Sequence, residues 1–302
     1  MVHEETVYEA LSNAHGDEGH WAFGTGFDEP LAGVDTTVPD GVDPTDLGAY
    51  CLMLGDDALV LAQRLTQWIT HAPELEEEVA IGNIGLDLLG QARLLLARAG
   101  TVGVLGRSRD LATDSIPDED ALAYFRDADE FRNTALVEAP NGDFARTIVR
   151  QFLYSAFADP YWRAMMRSAD PTLAAIAAKS EKESAYHLRH SAEWVIRLGD
   201  GTDESHRRAQ EAVDDLWPYT REMFDADEAE RVLIEADVAV DPEGLRGSWE
   251  RRVADVLAEA TLSIPASGWM QSGGRSGRHS EHLGHLLAEM QFLQRAYPGA
   301  TW

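Results

Sequence analysis

The sequence holds a single cysteine, Cys51, which excludes an internal disulfide and any cysteine-built zinc or iron–sulfur cluster. Lysine is almost as scarce: only Lys179 and Lys182 occur, and arginine supplies the rest of the 25 basic residues. Against these stand 53 acidic residues, for a formal net charge of −28. Such a field repels phosphate backbones and anionic lipid heads, which speaks against nucleic-acid and membrane roles. Abundant carboxylate with little lysine also suits a protein kept hydrated in concentrated salt, and points to a salt-adapted host. No run approaches the roughly 20 apolar residues of a membrane span. Met1–Ala10 carries Glu4, Glu5 and Glu9 instead of a basic apolar leader. The expectation is a cytoplasmic, reduced protein.

Strand-like alternation is also missing. What the 302 residues do show is helical periodicity over most of their length. Residues 1–45 are the exception: glycines and prolines recur there, and the segment reads as an acidic extension, partly irregular. Asp17 and His20 in it mimic a metal pair, but no rigid helix holds them, and solvated loop is the better reading. From Asp46, an N-cap candidate, one helix is predicted to about Thr70, and a second from Pro73 to about Ala99. The second contains Gly82, Gly85 and Gly90, each of which costs a helix about 1 kcal/mol and suggests close approach of another helix. After a linker over 100–117, an amphipathic segment is predicted over 118–136. Asp143 and Asp170-Pro171 open two further long helices, ending near Arg167 and Gly199. Shorter helices fit 204–224, 226–236, 242–262 and 280–296. The fold class is all-α, a bundle of long helices with additional C-terminal helices.

A long-helix bundle invites the question of a dinuclear carboxylate metal site, which needs Glu-x-x-His on two of its helices. No glutamate in the chain has histidine three residues later. In the second helix the only acid between Val79 and Ala99 is Asp87, and Phe144–Ala158 has none. A remnant survives on the helix after Pro171: Lys179, Glu183, His187, His190 and Glu193. Glu183 and His187 share a face, as in some zinc pairs. Lys179, one turn earlier, would place a fixed positive charge where a metal would sit, and a salt-bridged core or surface is favoured. Asp87 and Gln91 share a face with Ile84 and Leu88, so Asp87 is expected to point into the bundle with Lys179 or an arginine as partner.

The run Gly273-Gly274-Arg275-Ser276-Gly277-Arg278-His279-Ser280-Glu281-His282 leads glycines into a helix N-terminus. It lacks the lysine of a phosphate-binding loop, so it reads as a hinged terminal helix that docks on a partner. No Gly-x-Ser-x-Gly elbow or dinucleotide fingerprint occurs.

Many short runs, in order along 48–302, carry a resemblance. They include Leu54-Gly55-Asp56, Ala62-Gln63-Arg64-Leu65, His71-Ala72-Pro73-Glu74-Leu75-Glu76, and Asn83-Ile84-Gly85-Leu86-Asp87-Leu88-Leu89-Gly90-Gln91-Ala92-Arg93. Glu138 with Pro140-Asn141-Gly142, Tyr186-His187-Leu188-Arg189, Phe224-Asp225-Ala226-Asp227, Glu281-His282-Leu283-Gly284 and Leu287-Ala288-Glu289-Met290-Gln291 continue it. The chain resembles the family of non-catalytic C subunits of the multicomponent ring-1,2-phenylacetyl-CoA epoxidases of aerobic phenylacetate breakdown. The extension before residue 48 and the insert around 100–114 depart from that pattern. The resemblance implies a ferritin-like helical domain, 46–302, that has lost its metal ligands. Its implied partner is a catalytic A subunit carrying the di-iron site, with a small B subunit and a reductase completing the complex.

The resemblance further implies no cofactor on this chain, no catalytic residue, and phenylacetyl-CoA at a site shared with the catalytic partner. Contacts to CoA are implied at Glu130, Phe131, Arg132, Asn133, Arg231, Val232 and Leu233. Of these, Glu130, Arg132, Arg231 and Val232 depart from the family pattern. Arg126, Arg132 and Arg231 are sensible phosphate partners, and surface arginines in local ion pairs are the competing reading. Two further functions stay open: a self-sufficient di-metal oxygenase using Glu183, His187, Glu281 and His282, and a helical interaction module unrelated to oxygenation. The expected docking surface is the second helix around Gly82, Asn83, Gly85 and Gly90, with Leu283, Leu287 and Met290 as the next candidate.

Overall fold

Helix α1, Pro44–Thr66, begins where Asp43 accepts a hydrogen bond from Thr45 N–H and Pro44 takes the first helical position. It therefore starts earlier than the Asp46 cap suggested, and it ends before Thr70, which has φ 78° in the turn that follows. The computed structural model describes residues 31, 33–104, 116–266, 268–298 and 300. Two units divide at Val34/Asp35, and all the described helices belong to the second, Asp35–Trp302. The Asp17–His20 pair, most of the 1–45 extension and most of the 100–114 insert lie outside the described residues.

Helix α2, Leu75–Thr101, is followed by the short α3, Asp118–Tyr124, and α4, Ala135–Glu138. The single amphipathic segment expected over 118–136 is thus broken. Arg126 turns back to Leu122 O and to Asp56, and Asp127 caps a 3-10 turn at Ala128–Glu130. Helix α5, Phe144–Met165, is capped by Asp143, and α6, Pro171–Gly199, by Asp170, as the sequence indicates. Then come α7, Asp203–Leu216, α8, Glu228–Glu235, α9, Glu243–Glu259, and α10, Glu281–Ala296. Pro218 ends α7 early, and the chain continues in 3-10 turns to Phe224. No strand occurs among the described residues.

Four long helices make the bundle. Tyr50 meets Tyr161 while Trp68 meets Thr147, so α1 and α5 run antiparallel. Glu77 meets His190, Gln91 meets Glu183 and Arg98 meets Asp170, so α2 and α6 do too. Short turns join α1 to α2 and α5 to α6, leaving one long crossover between α2 and α5. That single crossover is the ferritin-like topology. The core is apolar along α1 and α5 (Leu47, Leu61, Phe152, Leu153), closed by Ile84, Leu88, Leu95 and Leu96 of α2 and Leu173, Ile176 and Val195 of α6.

Helix α2 is also long and apolar enough, by composition alone, to cross a membrane, which the sequence reading did not anticipate. Its inner stripe is packed in the bundle, as in any core helix, whereas Leu75, Val79, Leu86 and Leu89 on its outer side are exposed.

Candidate functional site

The metal-like residues that the sequence singled out meet at the seam between α2 and α6. There Lys179 Nζ lies 2.6 Å from Glu183 Oε1, and Gln91 Nε2 donates to Glu183 Oε2 at 2.9 Å. His187 Nε2 is 3.0 Å from Asp87 Oδ2, and His190 Nε2 is 2.9 Å from Glu77 Oε2. Both oxygens of Glu183 are therefore already engaged, one of them by a cation. This donor set does not fit a di-metal centre, which needs free carboxylates paired with imidazoles. Among the described residues no group of three or more His, Cys, Asp and Glu could hold a metal. In particular, Glu183, His187, Glu281 and His282 are not gathered into one ligand set.

Asp87 departs from expectation in two respects. Its partner is His187, not Lys179 or an arginine, and its side chain is 35% exposed. The reason is angular: the buried stripe of α2 is Ile81, Ile84, Leu88, Ala92 and Leu95, and Asp87, one residue before Leu88, falls about 100° to the side of it. It guards the seam instead of entering the core.

The strongest charge cluster lies elsewhere, where the C-terminal strap crosses the loop over 126–138. Arg126 is buried in a two-pronged pair with Asp56, and its guanidinium lies 4.2 Å from the Phe131 ring centre. Neighbouring Asp57 accepts from Arg275 at 2.7 Å and from Thr134 N–H at 2.7 Å. Burial works against the Arg275 charge, but Asp57, Glu230 and Glu222 outweigh it and keep the guanidinium ionised. Glu222 accepts from the N–H groups of Gly273, Arg275 and Ala135. Glu138 accepts from His279 at 2.8 Å, from Ser280 N–H at 2.7 Å and from Asn133 at 3.0 Å. Sequence reasoning missed this clamp. Its only local signals were paired aspartates inside the apolar run Met53–Ala62 and the glycine-arginine-histidine run at 273–279.

The strap is consequently held by this chain itself. Gly273 and Gly277, at φ 118° and 76°, bracket a 3-10 turn over Gly274–Ser276, and Leu283 and Leu287 of α10 are buried. The second docking candidate is thereby corrected: those leucines anchor α10 to the bundle, and only Met290 beside them stays partly exposed.

The residues implied for CoA divide by depth. Phe131, Asn133 and Leu233 are fully buried. Glu130 and Arg132 line a cavity of about 240 Å³ with Tyr50, Met53, Asp227, Ala229, Glu230 and Arg275. Arg132 spends its guanidinium on the carbonyls of Asp129 and Phe131. Arg231 and Val232 stand at the surface, Arg231 bonded to Ala226 O and close to Glu228. Arg126 cannot reach a phosphate from its buried pair, so that part of the arginine reading is withdrawn.

The glycines of α2 also divide. Gly85 is buried against Ala62, Leu65 and Thr66 of α1, which is internal packing, whereas Gly82 faces open space and Asn83 is exposed.

Comparison with known proteins agrees with this architecture. Residues 35–302 match the phenylacetic acid catabolic protein family. Over 256 residues the chain is 50% identical to the C subunit of the 1,2-phenylacetyl-CoA epoxidase of Escherichia coli (strain K12), covering 85% of this chain and 99% of that relative. A match of this identity over nearly the whole helical unit leaves no ambiguity of lineage: the chain belongs to the phenylacetic acid catabolic protein family.

Proposed function

We propose that this chain is the structural C subunit of a multicomponent oxygenase that epoxidises the ring of phenylacetyl-CoA. It would support a ferritin-like catalytic subunit that carries the di-iron site and would help to shape the acyl-CoA pocket. The observation that carries the reading is the seam between α2 and α6, where Lys179 and Gln91 engage Glu183 and Asp87 engages His187. These side chains are engaged with one another, which supports a structural role, and the 50% identity to an epoxidase C subunit extends over 256 residues.

For the acyl-CoA site, the buried Phe131, Asn133 and Leu233 would set the backbone, and the outward Arg231 and Val232 would meet the ligand. Burial of the first group and exposure of Arg231 and Val232 support that division. The test is to purify the chain alone and together with its catalytic subunit, measuring bound iron and turnover of the thioester. The expected result is iron and turnover only with the catalytic subunit present. Stoichiometric iron and turnover by this chain alone would overturn the reading. In the complex, Arg231→Ala is expected to raise KM for the thioester and leave kcat close to unchanged.

A further inference from the structure

In a chain with 53 acidic residues against 25 basic ones, a recess where arginine outnumbers carboxylate stands apart from its surroundings. One such recess, of about 350 Å³, lies between the 3-10 turns that follow α7 and the first half of α9. Its charged residues are Arg221 and Arg246 against Glu250. In four other cavities of the described residues, carboxylates equal or outnumber arginines. Arg246 is already paired with Glu243 and Glu250, at 3.5 and 3.2 Å. Arg221 is exposed and has no ion-pair or hydrogen-bond acceptor among the described residues. The inner wall of the recess is aromatic: the Trp249 ring centre lies 5.6 Å from that of Trp217 and 5.3 Å from that of Phe224. Trp249 N–H donates to Leu153 O of α5 at 3.0 Å, and Phe224 meets Phe157 of α5 edge-on. The wall is therefore fixed to the bundle before anything binds. Trp217 is half-buried, and its indole N–H has no acceptor among the described residues. The chain after α9 forms the opposite side with Pro265, Gly268 and Met270, and Gln271 N–H anchors it on Pro218 O at 2.8 Å.

We infer that this recess binds a small planar aromatic carboxylate. A flat ring gains both area and ring-edge contacts from the aromatic wall. A carboxylate matches the planar fork of a guanidinium, and Arg221 has its fork free. The unpartnered indole N–H of Trp217 adds a neutral donor to the same lining. Two arginines against one glutamate leave a single net positive charge, which suits one carboxylate. A nucleotide brings two or more negative charges and a body too large for the recess. An amine would meet arginine, and an aliphatic acid would forgo the wall. Trp269, between the lining residues Gly268 and Met270, is 70% exposed and places a further aromatic side chain beside the mouth. The surrounding acidic surface repels anions, so the reversal of sign here gives them one place to settle. None of the residues implied for CoA lines this recess, and the site is separate from the proposed acyl-CoA one.

The test is isothermal titration calorimetry of the full chain with benzoate as the probe, and with cyclohexanecarboxylate and benzamide as comparisons. Benzoate is expected to saturate one site with a dissociation constant of about 1 mM or tighter. Removing the ring's flatness or the charge, as the two comparisons do, should weaken binding by about tenfold or more. Arg221→Ala, a surface change, should weaken benzoate by about the same factor. Gly268→Leu should block it: a Cβ there meets only Ala266 O at 4.0 Å, so the side chain has room to fill the recess. Circular dichroism of both variants should be unchanged. Arg167→Ala, at a different cavity, should leave benzoate binding as it is. Absence of saturable binding up to about ten times that concentration overturns the inference. So does benzoate binding indifferent to both Arg221→Ala and Gly268→Leu, or equal binding of cyclohexanecarboxylate. Displacement of benzoate by coenzyme A would assign the ligand to the acyl-CoA site and overturn it as well. None of these readouts involves the catalytic subunit, so the proposed function stands or falls separately.

Discussion

Gly274 rests directly on the backbone of Asn133: a Cβ on that glycine would overlap the Asn133 carbonyl oxygen and press on Glu222 and the Ala135 N–H. The strap thus lies as close to the 126–138 loop as a polypeptide can. Gly274→Ala is expected to destabilise the chain by about 1–3 kcal/mol, the usual cost of forcing atoms into a filled space. Gly284, on the exposed face of α10, meets nothing within 4 Å. Gly284→Ala should therefore act in the opposite direction, stabilising by about 0.5–1 kcal/mol through helix propensity. Urea denaturation of both variants checks the pair, and equal effects would show that the strap is not held at Gly274.

Two aspartates of similar chemistry should differ sharply in cost. Asp56 is fully buried and holds Arg126 by two hydrogen bonds while accepting from Arg132 N–H. Asp56→Ala leaves a buried guanidinium without its counter-charge, at a cost of about 3–5 kcal/mol. Asp87 is a third exposed and meets His187 at the edge of the seam. Asp87→Ala should cost no more than about 1 kcal/mol, since water replaces much of what is lost. Thermal and denaturant unfolding of the two variants measures the contrast.

The His279–Glu138 pair makes strap anchoring depend on pH. Burial alone would lower the His279 value, but Glu138 on one ring nitrogen and Phe131 O on the other raise it above 6.5. Burial would raise Glu138, but His279 and Ser280 N–H bring it below 4.5. A raised histidine contributes its full stability below 6.5 and loses it as pH rises through the higher folded value. A lowered carboxylate contributes fully above 4.5 and loses it on acidification. The pair therefore contributes most between those two values and fades on the alkaline side. Hydrogen exchange of 273–283 should quicken from slightly acidic to mildly alkaline pH beyond its intrinsic rise, and His279→Gln should flatten that dependence.

The bundle was largely legible because its helix starts carry their own chemistry. Asp143 and Asp170-Pro171 announce α5 and α6 through side-chain caps and a proline at the first turn. The absence of Glu-x-x-His was legible for the same local reason, since it is a one-turn pattern that is checked residue by residue. What stayed hidden depends on contacts far apart in the chain. Arg275 reaches Asp57 across 218 positions, and Arg126 breaks a promising amphipathic helix by reaching Asp56 across 70. No spacing rule encodes such pairs. Asp87 shows the intermediate case: periodicity placed it near the buried stripe, but not which residue of α6 would face it.

The buried hydroxyls of Tyr50 and Tyr161 lie 2.5 Å apart and join α1 to α5. Tyr50 also accepts from Val240 N–H at 3.2 Å, so it ties the loop between α8 and α9 to the bundle. Burial pushes both phenols well above their usual range, so both hydroxyls stay protonated around neutral pH. Their contribution is therefore hydrogen bonding alone, and it is unequal. Tyr161→Phe removes one bond and leaves Tyr50 still accepting from Val240, a loss of about 1 kcal/mol. Tyr50→Phe removes both bonds and leaves a buried N–H and a buried hydroxyl unpaired, a loss of about 2–3 kcal/mol. In the double variant the Tyr161 hydroxyl is gone as well, so the penalty for stranding it disappears. The combined loss should fall short of the sum of the single losses by about 1 kcal/mol. A double-mutant cycle by denaturant unfolding reads this directly; strict additivity would mean that the two hydroxyls do not bond to each other in solution.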